Sequence, residues 1–426
     1  MKLANFSVGS QTLQTYVSRV RLFAPNARLF LLNVIVTGAA FGVYRLIFNF
    51  YVLSLGYDEA LLGALITTNN LTALLLALPM GYLADILGRK SSLILSIIFS
   101  GLAMLVMVIW PSQTVFYAMN ILSGIAQSLG AVTSAPFLME NSGEKERTYL
   151  FSFTFGLQML MASVGNWVGG YLPTWLSEIG GFLPGSSQAY GGALVAIALL
   201  MEIGLLPLIF IRSLHLKRAE RSIFAPISYA AKRPVLLGKL ILPMLITSIG
   251  AGLIMPFMNV FFRQVHHQPD PVIGALFAWG SLAMGIGLLL APPLADRLGR
   301  IQFVVITQAL SIPFLVLLGF SPLFWVSAAA YYVRLALMNM STPVYETFVM
   351  EKVDDSARAT VASLVSMASN FGWAFSPMIS GWMQVNYGFG LPFLGTLVLY
   401  TVSIYLYWAY FWHKKEVSLP DPLAGD

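Results

Sequence analysis

Leu83-Ala84-Asp85-Ile86-Leu87-Gly88-Arg89 returns 211 residues later as Leu294-Ala295-Asp296-Arg297-Leu298-Gly299-Arg300. The same offset carries Met139-Glu140 onto Met350-Glu351, Arg147 onto Arg358 and Ser152 onto Ser363. It also carries Gly63-Ala64-Leu65 onto Gly274-Ala275-Leu276, and Gly170 onto Gly381. One offset that serves four separate regions marks an internal duplication. Whatever one copy folds into, the other repeats.

The residues around the motif decide the solvent. Of 426 residues, 58% are hydrophobic and only 10% are charged, against about 25% charged in an ordinary soluble domain. A water-soluble fold of this length needs more polar surface than that. Soluble enzymes, nucleic-acid binders and disordered chains are excluded on this ground. The apolar residues fall in long continuous runs. A spanning helix takes about 20 such residues, whereas a barrel strand takes about 10 alternating ones. The chain therefore reads as an all-α membrane protein. The predicted spans are 29–53, 60–83, 91–110, 114–139, 149–173, 191–212, 237–262, 272–294, 302–320, 323–349, 359–383 and 391–413. Gly and Pro within them are tolerated in lipid.

The basic residues set the orientation. Of the 24 Lys and Arg, Arg45 and Arg334 fall inside spans and Arg263 in an outside loop. The rest gather on the side that holds both termini, which the positive-inside rule makes cytoplasmic. The net charge of +6 is accounted for in this way, without nucleic acid. The reading is a cytoplasmic arm (1–28), an N-terminal six-helix half (29–212), a cytoplasmic linker (213–236), a C-terminal half (237–413) and a cytoplasmic tail (414–426). The arm lacks an apolar stretch followed by a cleavage site, so no secretory signal is expected. The basic linker suits a helix on an anionic membrane surface. An even number of spans precedes the second copy, so the two copies run parallel, an arrangement used by secondary transporters.

Gly81-Tyr82-Leu83-Ala84-Asp85-Ile86-Leu87-Gly88-Arg89-Lys90 resembles the signature of the major facilitator superfamily between its second and third helices, Gly-x-x-x-Asp-Arg/Lys-x-Gly-Arg-Arg/Lys. It departs at Ile86, where a basic residue is usual. The second copy has Pro292 for the first Gly and Ile301 for the last basic residue. The resemblance extends over the whole chain through span count, repeat and central basic loop. It implies twelve transmembrane helices in two pseudo-symmetric six-helix bundles, which move a small organic solute by alternating access. It also implies a conformational latch on the cytoplasmic side. Its members are Gly81, Asp85, Gly88, Arg89, Glu140 and Arg147, with Asp296, Gly299, Arg300, Glu351 and Arg358 in the second copy. Ion pairs and helix termini there are expected to hold the halves together and to break on inward opening. The alternative is a topology signal tempered by acids.

Ionisable residues inside spans are costly and mark function by default. Arg45 lies slightly outward of the middle of the first span, and Arg334 near the middle of the tenth. The resemblance puts helices one, four, seven and ten around a central cavity, which offers both guanidinium groups to a polar or anionic substrate. Pairing with Glu202 or Glu346 is the alternative, although Glu346 lies about 18 Å along the helix from Arg334. Glu202 and Glu346 are the proton-coupling candidates. Their other readings are a contact with a neighbouring helix and interfacial solvation. Asn49, Asn120, Gln127, Asn259, Asn339 and Trp373 complete the predicted substrate-binding set, although such polar side chains also bond helix to helix. Asn49 and Asn259 are 210 residues apart, so the repeat slips by one there. Gly165-Asn166-Trp167-Val168-Gly169-Gly170 resembles the antiporter motif of drug-exporting members, with Asn166 in place of Pro; close helix packing explains the same glycines.

Other chemistry is not signalled. No phosphate loop supports ATP coupling. His266-His267 has no third metal ligand nearby in sequence. The absence of Cys removes disulfides and thiol chemistry. No nucleophile stands at a useful spacing from a base, so no enzyme, cofactor or metal is expected. The expected protein is a monomeric, multi-pass carrier in the cell inner or plasma membrane, with a small-molecule substrate, membrane lipids and protons as its partners. Proton-coupled efflux is the leading mode. Uptake by symport, facilitated diffusion and lipid flipping are the alternatives.

Overall fold

The computed structural model describes residues 22–143, 146–212, 234–353 and 358–412. Residues 1–21 of the arm, 213–233 of the linker and 413–426 of the tail lie outside the described residues, and so do the expectations made for them. The described residues are helical, without strands. In the first copy the helices are α1 (Pro25–Ser54), α2 (Glu59–Leu75), α3 (Ala77–Leu87), α4 (Arg89–Ile109), α5 (Gln113–Glu140), α6 (Arg147–Gly180), α7 (Ser187–Ile203) and α8 (Leu205–Ile209). In the second they are α9 (Pro234–Ile254), α10 (Met258–Gln264), α11 (Asp270–Leu298), α12 (Arg300–Phe320), α13 (Phe324–Glu351), α14 (Arg358–Tyr387) and α15 (Gly390–Phe411).

Eight spans are long and apolar enough to cross a membrane, and α2 with α3, bent by 58°, makes a ninth. The helices α6, α13 and α14 have 34, 28 and 30 residues and are also long enough. They are more polar because they carry residues such as Asn166, Arg334 and Asn370 in mid-course. Twelve long segments result among the described residues. The second, predicted as one straight span over 60–83, is broken at Leu76. Pro79 explains the break, because its ring removes a helical N–H and crowds the carbonyl of Leu75. Local capping starts several helices. The side chains of Asp58, Ser112 and Ser186 accept from the backbone N–H groups of Leu61, Val115 and Ala189, satisfying donors that a helix start leaves open.

The chain divides into two compact units. One comprises 1–221 together with 257–282, and the other 222–256 together with 283–426. The first unit is the N-terminal copy joined by the far ends of the seventh and eighth spans. Its long helices α1 and α6 touch backbone to backbone: a Cβ on Gly42 would strike the Ala162 carbonyl, and one on Gly165 the Ala39 carbonyl. Phe23, Phe30, Phe137, Leu150 and Leu208 close a core at the end nearest Asp85. In the second unit α9 meets α14 in the same manner, through Gly252, Ser248, Gly372 and Ser376. Its core is built from Leu240, Phe303, Tyr345, Phe348 and Tyr407. Small residues at helix crossings are how membrane helices gain close packing.

Candidate functional site

The repeated motif builds the same turn twice. Gly88 has φ 82° and ψ 155°, and Gly299 has φ 87° and ψ 143°. Both lie at positive φ, which a side chain resists. Each turn hands the chain straight into a helix headed by arginine. Arg89 bonds Asp85 at 2.8 Å and Glu140 at 3.0 Å, tying α3, α4 and α5 together. Arg300 pairs with Glu351, the counterparts of Arg89 and Glu140 at the same offset. Arg147 donates instead to the Ser142 carbonyl at 3.4 Å, and Arg358 to the Met350 carbonyl at 3.0 Å. Asp296 is exposed. Gly81 has open space where a Cβ would stand. These ion pairs join helices within one copy. Part-exposed pairs of this kind contribute about 0.2–1 kcal/mol each.

The span residues fall into three groups. Arg45 and Gln127 are exposed, and Asn339 and Trp373 are half-buried. Arg45 is nine residues from the end of α1, about 14 Å into the span. Its guanidinium carbon stands 6.0 Å from the Phe277 ring centroid, and Tyr44 stacks on Phe48 beside it. Arg45 has no acidic partner among the described residues. Asn339 bonds back to the Leu335 carbonyl in its own helix.

Buried polar residues form the second group. Asn49 donates to Asn259 Oδ1 at 2.8 Å, and Asn259 donates to the Leu46 carbonyl at 2.8 Å. This pair joins α1 to α10 inside the first unit. Asn120 turns into its own copy, towards the Phe116 carbonyl at 2.9 Å and the Met107 sulfur. Arg334 is 2% exposed in the second unit. It donates to the Tyr400 hydroxyl at 3.0 Å and approaches the Met255 sulfur at 3.7 Å, while its Nε has no hydrogen-bond partner. It pairs with neither Glu202 nor Glu346.

The carboxylates are the third group. Glu202, in α7, lies against Gly101 of α4, where an added Cβ would collide with its Oε1. Glu346 is exposed on α13, the helix that also carries Arg334 and Asn339.

A fourth constellation was missed in the sequence. At the end of the first unit opposite Asp85, Arg263 pairs with Asp270 and donates to the Tyr190 hydroxyl. Tyr190 in turn donates to the other Asp270 oxygen at 2.6 Å. The Arg263 guanidinium lies 3.8 Å from the centroid of the Phe50 ring, a cation–π distance. Nearby, Ser163 of α6 donates to the Ala278 carbonyl at 3.0 Å, and Gly170 meets Gly274 backbone to backbone. The one available signal was Arg263 itself, a single outside cation seven residues before an acid.

Comparison with known proteins decides the family. The sequence profile of the Major Facilitator Superfamily matches residues 30–269 and 240–425. The chain belongs to the Major Facilitator Superfamily. It is 23% identical over 373 residues to the "Tetracycline resistance protein, class H" of Pasteurella multocida, covering 83% of this chain and 87% of that protein. It is 23% identical over 405 residues to the "Multidrug resistance protein MdtG" of Dickeya zeae (strain Ech586), covering 91% and 95%. Among solved structures, a bacterial homolog of the human lysosomal transporter Spinster, inward-facing and unoccupied, superposes with a TM-score of 0.74 at 14% identity, over 92% of this chain and 96% of the other. Membership in the Major Facilitator Superfamily makes the protein an integral, multi-pass membrane protein of twelve helices in two six-helix bundles. The expected fold class is the observed one.

Proposed function

We propose that the protein is a secondary carrier that exports a small amphipathic organic anion by alternating access, in exchange for protons. In this reading both termini face the cytoplasm, the carrier works as a monomer, and no catalytic step or cofactor is involved. The observation that carries it is Arg45: an exposed guanidinium at mid-span with no acidic partner among the described residues. A charge at that depth costs about 2.5–3.5 kcal/mol, and an incoming carboxylate or phenolate offsets that cost through charge-assisted bonds. Arg334, which donates to the Tyr400 hydroxyl and has no acidic partner among the described residues, is a second guanidinium in the spans. The drug-resistance names of the relatives favour export. Glu346, exposed on the helix of Arg334, is the better-placed proton carrier, because Glu202 is engaged in packing against Gly101. The cytoplasmic motif, with Arg89, Glu140, Arg300 and Glu351, stiffens the helix ends that must move as bodies.

Reconstitution into proteoliposomes with an imposed pH gradient tests this. Anionic aromatic compounds should move against their gradient and acidify or alkalinise the lumen in step, while Arg45→Ala stops them. Transport of neutral sugars or permanent cations alone, or flux without proton movement, would overturn the reading.

A further inference from the structure

The cluster at the far end of the first unit is not part of the transport site just described. It is drawn from four helices. Phe50 comes from α1, Tyr190 from α7, Arg263 from α10 and Asp270 from α11. It therefore ties the N-terminal copy to the far ends of the seventh and eighth spans. The Asn49–Asn259 bond lies one residue along α1 from Phe50, and the Ser163–Ala278 and Gly170–Gly274 contacts lie beyond Asp270. Together they seal that end. The seal has one ionic element. Two of the three bonds in the triad converge on the Asp270 carboxylate, whose side chain is 11% exposed, and the third runs from Arg263 to the Tyr190 hydroxyl.

We propose that the Asp270–Arg263–Tyr190 triad is a proton-releasable latch on the external face: proton uptake by the Asp270 carboxylate frees Arg263 and lets the outer ends of the spans part. The step balances simply. A proton from the external water adds to a carboxylate oxygen, the charge on Asp270 disappears, and Arg263 loses its counter-ion. Arg263 keeps its Phe50 face and turns its nitrogens to water. The neutral carboxyl also loses its attraction to the start of α11, where a helix favours negative charge. Acid outside therefore shifts the carrier towards its outward-open form. The external assignment rests on the orientation proposed above, and the latch is separate from substrate recognition.

Other titratable groups near the triad are few. Tyr190 and Arg263 face Asp270 directly. His266 and His267 lie in the loop between α10 and α11. Burial and the neighbouring His267 push the His266 imidazole below its ordinary range. Glu59 occupies the position equivalent to Asp270 in the first copy and begins α2. It accepts from Gln264 at the surface. The duplication thus places two acids against adjacent residues of α10, and of the two Asp270 holds the arginine.

The natural absence of Cys gives a clean test on the full-length purified protein without substrate. Ala278→Cys places a thiol in the seal, where the residue is 8% exposed. Leu183→Cys, at 78% exposure, calibrates thiol reactivity at each pH. Labelling by a small charged maleimide is read as the ratio of the two. The ratio should rise about tenfold, or about 1.4 kcal/mol, between pH 7.5 and 5.5. Asp270→Asn and Arg263→Gln should each give the high ratio at pH 7.5 and flatten its pH dependence. A parent ratio that stays flat, or an Asp270→Asn seal as tight as the parent's, overturns the proposal. So does a pH response that survives Asp270→Asn and disappears in His266→Gln. Loss of proton-coupled flux with the labelling pattern intact would sink the proposed transport reading and leave the latch standing.

Discussion

Arg334 makes a prediction that runs against ordinary expectation for a buried residue. It is 2% exposed, bonded to a neutral hydroxyl and near a thioether, with Nε unpartnered. Holding a guanidinium at mid-span costs about 2.5–3.5 kcal/mol, and a buried donor left unmade adds about 1–3 kcal/mol. The charge-assisted bond to Tyr400 returns about 1.5–3 kcal/mol. The balance is unfavourable by about 0.5–5 kcal/mol in the substrate-free protein. Arg334→Met combined with Tyr400→Phe removes the charge and the hydroxyl together and keeps similar volume. This double variant should unfold at a higher temperature than the parent, by a few degrees, since about 1 kcal/mol moves a mid-sized domain by about 2–4 °C. Arg334→Met alone should gain less, because it strands the Tyr400 hydroxyl. The assay is thermal unfolding of detergent-purified protein, followed by loss of the monodisperse peak. The same double variant should lose stabilisation by organic anions. A double variant that melts several degrees below the parent would show Arg334 to be a structural strut and refute the reasoning.

Other consequences follow from the same geometry. Asp85→Asn leaves Arg89 with Glu140 alone and should slow transport with little loss of protein from the membrane; unchanged kinetics, measured by initial rates, would remove the motif from the conformational cycle. Gly42→Ala and Gly165→Ala each drive a methyl into a facing carbonyl, and should cost about 1–3 kcal/mol by overpacking, read as a lower melting temperature. Arg45→Lys keeps the charge but loses the planar fork; anion affinity should fall about tenfold while proton leak stays at the parent level, as titration and a lumenal pH dye would report.

The duplication was legible because it is written in residues that act locally. Gly88 and Gly299 need positive φ wherever the chain folds, and Arg89–Glu140 reappears as Arg300–Glu351 at an unchanged offset. Span number was legible from apolar runs, even for α6, α13 and α14, whose polar residues dilute the signal. The bend at Leu76 was readable in Pro79, which tolerance of proline in lipid had masked. Side-chain direction was not legible. Asn120 faces its own copy and Arg334 faces Tyr400, because rotation about a helix axis is set by neighbours far off in sequence. Apart from Arg263 itself, the Arg263 cluster was hidden for the same reason: its members come from four helices, and Tyr190 and Arg263 have no counterpart in the repeat, where Thr401 and Val52 stand.

The central claim is that guanidinium groups in the spans, without acidic partners among the described residues, select an organic anion. Calorimetric titration of the purified protein with matched aromatic compounds, identical except for a carboxylate, an amide or an ammonium group, tests it most directly. The carboxylate should bind, and its affinity over the amide should vanish in Arg45→Ala. Equal binding of all three compounds, or a preference for the ammonium that persists in Arg45→Ala, would contradict the account.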